Sequence, residues 1–244
     1  MKRIVLVLAA TGLVASASAA LLYDNGPLIT HPGQGYNGKD ASALMTALSE
    51  NIYGYGAQKS AGNRVADDFV VPAGGWQIDS FKFFAYQTGS GTASTINEIN
   101  VRIWNQAPNA GNTGIVWGDT TTNLLASTTF SNIYRCRDIA LTESTRPIME
   151  VVANTPNLNL PAGTYWVDFQ FGGTLTSGPW APPVSYVNVT HPAGANGMQY
   201  TSTGWALVQD SGSFTPDAFP FQVNGIPEPA SLLLLGLGLL LRRR

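Results

Sequence analysis

Two histidines, one cysteine and a scatter of carboxylates are the residues of this 244-residue chain that could carry chemistry. His31 and His191 sit in matching contexts, Thr30-His31-Pro32-Gly33 and Thr190-His191-Pro192-Ala193. A hydrolytic triad needs an imidazole held by a carboxylate beside a nucleophile, and the chain has no Gly-x-Ser-x-Gly elbow. His-Pro stretches break regular structure, so both histidines read as turn residues. The competing reading is metal ligation, for which two imidazoles fall short of a site. Asp67, Asp68, Asp79, Glu98, Asp168 and Asp210 are the carboxylates a glycosidase could pair. Asp67 and Asp68 are adjacent, so on a strand they face opposite sides and form no dyad by themselves. Calcium is the better use for acidic, oxygen-rich loops. Asp67, Asp68 and Asp119 are its expected ligands, although no Asp-x-Asp-x-Asp-Gly loop is present. No other cofactor is expected, and no residue is assigned a catalytic role.

The lone Cys136 excludes an internal disulfide and a thiolate zinc site. Flanking Arg135 and Arg137 could lower its pKa, but the surrounding Ile133–Asp138 stretch reads as a strand with the thiol on one face. Six tryptophans and nine tyrosines offer flat apolar surfaces on which sugar rings can stack. Trp104 and Trp166 share the polar parity of their strands, which makes them the candidate glycan platform. The alternative is that the aromatics fill a two-layer core.

These residues are positioned by strands. Val65, Phe69 and Val71 share one parity; Ile99, Val101 and Ile103 alternate with Asn100, Arg102 and Trp104. Tyr165, Val167, Phe169 and Phe171 alternate with Trp166, Asp168 and Gln170. The 78–86 stretch is aromatic on both parities. Further short strands are expected over 124–130, 134–141, 148–152, 186–189, 205–208 and 219–223, separated by Gly, Pro and Asn turns. Residues 39–48 have helical spacing at Leu44, Ala47 and Leu48, with Asp40 as the cap. The pattern predicts an all-β, jelly-roll-like β-sandwich over 21–225, with one short N-terminal helix and a C-terminal apolar helix.

Both ends of the chain carry targeting features. Lys2 and Arg3 precede an apolar stretch over 4–14, then Ala15-Ser16-Ala17-Ser18-Ala19-Ala20. That order reads as a signal peptide over 1–20, with Ala17, Ala19 and Ala20 as the small residues of the signal peptidase site. At the other end stand Pro227-Glu228-Pro229, an apolar run over 230–241, and Arg242-Arg243-Arg244. Twelve apolar residues span about 18 Å as a helix, short of the ~30 Å hydrocarbon core. The arginines favour the cytoplasmic side, and the prolines keep the preceding segment extended.

This tripartite tail, residues 226–244, resembles the PEP-CTERM sorting signal. The resemblance implies recognition of Pro227, Glu228, Pro229 and Arg242–Arg244 by an exosortase, a membrane cysteine transpeptidase-like enzyme that acts near the Pro-Glu-Pro motif. It also implies a bacterium that makes extracellular polysaccharide. Segments such as Val65-Ala66-Asp67-Asp68-Phe69 and Val101-Arg102-Ile103-Trp104 look similar to β-sandwich ectodomains of other PEP-CTERM proteins. The expected partners are signal peptidase, exosortase, the inner membrane transiently, and extracellular polysaccharide. The expected course is export, an inner-membrane intermediate, then the cell surface or the medium. Of the 13 basic residues, the terminal segments hold Lys2, Arg3 and Arg242–Arg244, leaving 8; of the 15 acidic residues they hold Glu228, leaving 14. The remaining net charge near −6 excludes a nucleic-acid footprint. Three functions stay open: a non-catalytic adhesion or matrix protein, a carbohydrate-binding module, and a secreted glycan hydrolase or lyase.

Overall fold

Alternating apolar residues build two six-stranded sheets in the computed structural model, which describes residues 19–111 and 113–228. The first sheet runs, edge to edge, β1 (Ala20–Asp24), β14 (Phe221–Pro227), β5 (Trp76–Ala85), β9 (Pro147–Leu160), β8 (Leu125–Arg137) and β2 (Asp40–Leu44). The second runs β13 (Gly204–Leu207), β12 (Met198–Thr201), β4 (Arg64–Val71), β10 (Gly163–Gly173), β6 (Ile96–Trp104) and β7 (Ile115–Gly118). A two-stranded ribbon joins β3 (Tyr55–Gly56) to β11 (Trp180–Ala181). All pairs are antiparallel except β2 with β8.

The apolar parity of each strand faces the other sheet. Val65, Phe69 and Val71 of β4, Val101 and Ile103 of β6, and Val167, Phe169 and Phe171 of β10 share one core with Phe81, Phe83, Val151, Phe221 and Val223 of the first sheet. Aromatic rings lock the layers together: Phe83 meets Phe169 at 4.3 Å between centroids, and Phe69 meets Phe81 edge-on at 5.9 Å. Each such side chain contributes about 1.5–3 kcal/mol by leaving water, so the fold needs no disulfide.

The expected helix over 39–48 is instead strand β2 followed by a 3-10 turn at Thr46–Leu48. Ala41, Ser42, Ala43 and Leu44 are all buried, so no solvent-facing helical side exists to give the spacing its meaning. Asp40 caps nothing helical; its carboxylate accepts the Gly33 N–H at 2.8 Å. The strands expected at 124–130 and 134–141 are one strand, β8, with a register shift between Phe130 and Ile133 that contains Asn132 at φ 65°. Residues 186–189 form a tight turn closed by a Tyr186–Val189 bridge, with Asn188 at φ 57°. The aromatic 78–86 stretch is covered on both parities, as Phe81 and Phe83 lie in the main core and Tyr86 in a second cluster with Leu28, Ile133 and Ile148. The C-terminal apolar helix lies outside the described residues. Among the described residues no helix is long and apolar enough to cross a membrane.

Candidate functional site

Asp67 is the carboxylate on which the largest share of the sequence-derived chemistry rests. It occupies the core-facing parity of β4 between Val65 and Phe69, and it is 1 % exposed. Its Oδ2 accepts the Phe219 N–H at 2.6 Å and the Asn25 amide at 3.0 Å; its Oδ1 accepts the Asp68 N–H at 2.8 Å. Burial pushes its pKa up to about 7, against the pull of those three donors, and the charge of Asp68 adds to the rise. A cleft of about 340 Å³ opens beside it, lined by Tyr23, Asp24, Asn25, Asp68 and the 192–196 loop. Burial, then the charges of Asp68, Asp67 and Asp24, raise the Tyr23 phenol to about 12. Asp67 titrates near neutrality, yet all its donors are structural. Delivering a proton to a ligand would break the link between β4 and the entry to β14. Its geometry is that of a staple rather than of a general acid.

The three expected calcium ligands do not converge. Asp67 and Asp68 lie on β4, whereas Asp119 follows β7, with β10 and β6 in between. Asp119 accepts the N–H groups of Thr121 at 2.7 Å and Thr122 at 2.6 Å, which hold its carboxyl well below the usual range. It builds its own turn. No group of three or more His, Cys, Asp or Glu able to hold a metal exists among the described residues.

Trp104 and Trp166 are indeed on the outward parity and stand opposite each other on β6 and β10, but they are no exposed platform. Trp104 is 1 % and Trp166 7 % exposed, packed with Ala66, Met198, Ala107 and Trp205. The reason is the charge cluster next to them. Asp168 Oδ2 accepts Arg102 Nε at 2.8 Å, Arg102 Nη2 at 2.6 Å and the Trp104 indole N–H at 3.1 Å. Arg64 Nε lies 3.3 Å from Asp168 Oδ1. The Arg64 guanidinium covers Tyr200 at 4.1 Å and Trp205 at 5.3 Å. Two arginines, one carboxylate and four aromatics thus form a polar second core under the β12–β13 hairpin.

No family model, curated protein or solved structure matches this chain.

The histidines are turn residues. His31 bridges to Ala41 and its Nδ1 meets Thr30 Oγ1 at 2.9 Å; His191 repeats that contact with Thr190 at 2.9 Å. Cys136 is fully buried, and burial raises its thiol to about 11, which outweighs the lowering by Arg135. The alternative of activation by the flanking arginines is thus outweighed by burial. Arg137 pairs with Glu143 instead. Among the other carboxylates, Glu98 pairs with Lys59, and Asp210 accepts four backbone N–H groups, from Asn51, Ile52, Gly212 and Ser213.

Arg135 was not singled out by sequence and is the main omission. It is 1 % exposed, and no carboxylate among the described residues forms an ion pair with it. It donates to Tyr53 O at 2.8 Å, Ile52 O at 3.2 Å, Ser42 Oγ at 3.2 Å and Ser185 Oγ at 2.7 Å. An arginine inside a strand stretch buried on both faces, Ile133 to Cys136, was the available signal. Of the residues assigned to processing, Ala19 immediately precedes β1, Ala20 begins it, and Pro227 ends β14. Glu228 follows, its N–H bonded to Gly75 O at 3.0 Å. Ala17, Pro229, Arg242, Arg243 and Arg244 lie outside the described residues.

Proposed function

We propose that this chain is an exported, non-catalytic cell-surface or extracellular-matrix protein, sorted through a PEP-CTERM tail and associated with extracellular polysaccharide through a jelly-roll-like sandwich. The observation that carries the reading is the pairing of the chain's two junctions. Ala20, at the expected signal peptidase site, is the register partner of Gly225, two residues before the Pro-Glu-Pro motif. The sheet therefore begins where the leader would be removed and ends where the sorting motif begins. A cut after residue 20 would remove only the first residue of β1 and leave Leu21, Tyr23 and Asp24 paired with β14, and a cut beyond Pro227 would leave β14 whole. A domain with that layout is delivered by its ends and works through its middle.

The described carboxylates support a non-catalytic role, since each of Asp67, Asp168 and Asp210 is committed to structural donors. The experiment is the intact mass of the protein recovered from cell surface and medium, in strains with and without the processing enzyme. The expected product lacks Lys2-Arg3 in both strains and lacks Arg242–Arg244 only where the enzyme is present. A full-length C-terminus in both strains would sink the sorting claim.

A further inference from the structure

The clefts of this protein differ in charge. The one beside Asp67 holds Asp24, Asp67 and Asp68; another contains Lys59 and Glu98; a third is flanked by Arg146; a fourth lies between Asp24 and Glu150. One cleft of about 370 Å³ has no Asp, Glu, Lys, Arg or His in its lining. It opens between the two sheets, where edge strand β7 of one approaches the end of β9 of the other. Its walls include Trp117, Tyr165, Leu158 and the carboxamides of Asn105, Asn157 and Asn159.

Trp117 is half-buried: it packs against the main core and also forms a wall of the cleft. The Tyr165 hydroxyl donates to the carbonyl of Pro161, another wall residue, at 3.2 Å, so its O–H is already engaged and its ring remains as apolar wall. The three asparagines are exposed. Among the described residues, none hydrogen-bonds to their carboxamides or to the Trp117 indole N–H. Asn157 holds its place at φ 61° within β9, a conformation asparagine tolerates better than most residues.

A carboxamide offers two donors and a two-lone-pair acceptor, which matches adjacent hydroxyls that donate and accept. An aromatic wall matches the apolar C–H face of a ring. The volume lies in the ~300–1,000 Å³ range of small-ligand sites, which are apolar with a few convergent polar groups. The absence of charge disfavours an anionic or cationic ligand, which would lose its hydration without an ionic partner.

We propose that the Trp117–Asn105–Asn157–Asn159 cleft binds a neutral hexose unit of a polysaccharide, stacked on Trp117 and hydrogen-bonded by the asparagines. This names the ligand chemistry of the polysaccharide association proposed above and rests on that reading. The two fail separately, because processing is read by mass and the cleft by titration.

The test is isothermal titration of the full chain with neutral gluco-, manno- and galacto-oligosaccharides, alongside oligogalacturonate as the acidic probe. The expected result is saturable one-site binding of at least one neutral oligosaccharide. Trp117→Ala should weaken it at least about tenfold, and Asn159→Ala about three- to tenfold. The Asn159 side chain is exposed and hydrogen-bonds to no described residue, so its variant keeps the fold even if Trp117→Ala does not. Trp205→Phe, on the outer face of the second sheet, should leave the affinity unchanged. No binding of any neutral probe up to about millimolar affinity, tighter binding of oligogalacturonate, or equal affinity of Asn159→Ala and the parent protein would each overturn the proposal.

Discussion

Ala20 and Gly225 face each other across the β1–β14 pair, so the chain enters and leaves the first sheet at one end. Gly225 also sits against β5, where a Cβ would lie 2.1 Å from Gln77 O and 2.9 Å from Ile78 Cα. Both neighbours are backbone and cannot swing aside. Gly225→Ala should cost about 2–4 kcal/mol by prising β14 from β5. Gly91→Ala, where a Cβ would meet nothing within 4 Å, should change stability by less than about 0.5 kcal/mol. Urea denaturation of the two variants tests the pairing; equal midpoints would contradict it.

The same pairing constrains processing. Pro227 is paired with Trp76, and the Glu228 N–H is bonded to Gly75 O, so the first two residues of the proposed sorting motif are held to the folded domain. A protease acting on the native protein should cut after Glu228, beyond the sheet. C-terminal sequencing of the mature protein reads this directly, and a terminus before Gly225 would mean that β14 is unzipped first.

Two buried carboxylates, Asp67 and Asp217, and the half-buried Glu50 shape the response to pH. Burial raises Glu50 and Asp67 to about 7 and Asp217 to about 6, from ordinary values of 4.5 and 3.8. A raised carboxyl binds its proton more tightly in the folded state. Its stabilisation is complete below pH ~4 and is lost as pH rises through 6–7. Asp210 acts in the opposite sense. Burial alone would raise it, but its backbone donors hold it below its ordinary value, so its contribution fades in stronger acid. The melting temperature should therefore be higher at pH 5 than at pH 7.5, by about 3 °C or more. Asp67→Asn should flatten that slope while lowering stability, since an amide cannot accept from both Phe219 and Asn25 without misplacing its own N–H groups. An unchanged slope would remove Asp67 from this account.

Arg135 ties β8 to Ser42 of β2, to the 52–53 segment and to Ser185. Truncating it leaves several buried acceptors without a donor, each costing about 1–3 kcal/mol. Arg135→Ala should lose about 3 kcal/mol or more, and Arg135→Lys should recover only part, because a single ammonium cannot span the fork. Equal unfolding midpoints for Arg135→Ala and the parent protein would refute the role.

Cys136 should resist a thiol reagent in the native protein and react fully once unfolded, because its sulfur is buried and its pKa is pushed up to about 11. A labelling time course at pH 8 in the presence and absence of guanidinium checks this. Rapid native labelling would contradict the burial.

Sequence alone determined the strands whose apolar residues alternate cleanly. β4 runs over Arg64–Val71 as the pattern predicts, and the Val167–Phe171 parity faces the core, because a period of two leaves each residue one choice of side. It misread 39–48 as a helix where the chain makes strand β2 and a 3-10 turn, because apolar spacing cannot tell helix from strand in a short segment buried on both faces. Parity could say that Trp104 and Trp166 point outward; it could not say that an Arg102–Asp168–Arg64 cluster and the β12–β13 hairpin cover them. Likewise adjacency placed Asp67 and Asp68 on opposite faces, but only the arrival of Phe219 and Asn25 from 152 and 42 residues away made Asp67 a staple. The cleft around Trp117 was invisible for the same reason. Its walls come from β7, β9 and β10, and asparagines in turns and strands are common everywhere. A strand's own sequence specifies which way its side chains point, and tertiary packing alone decides what they meet there.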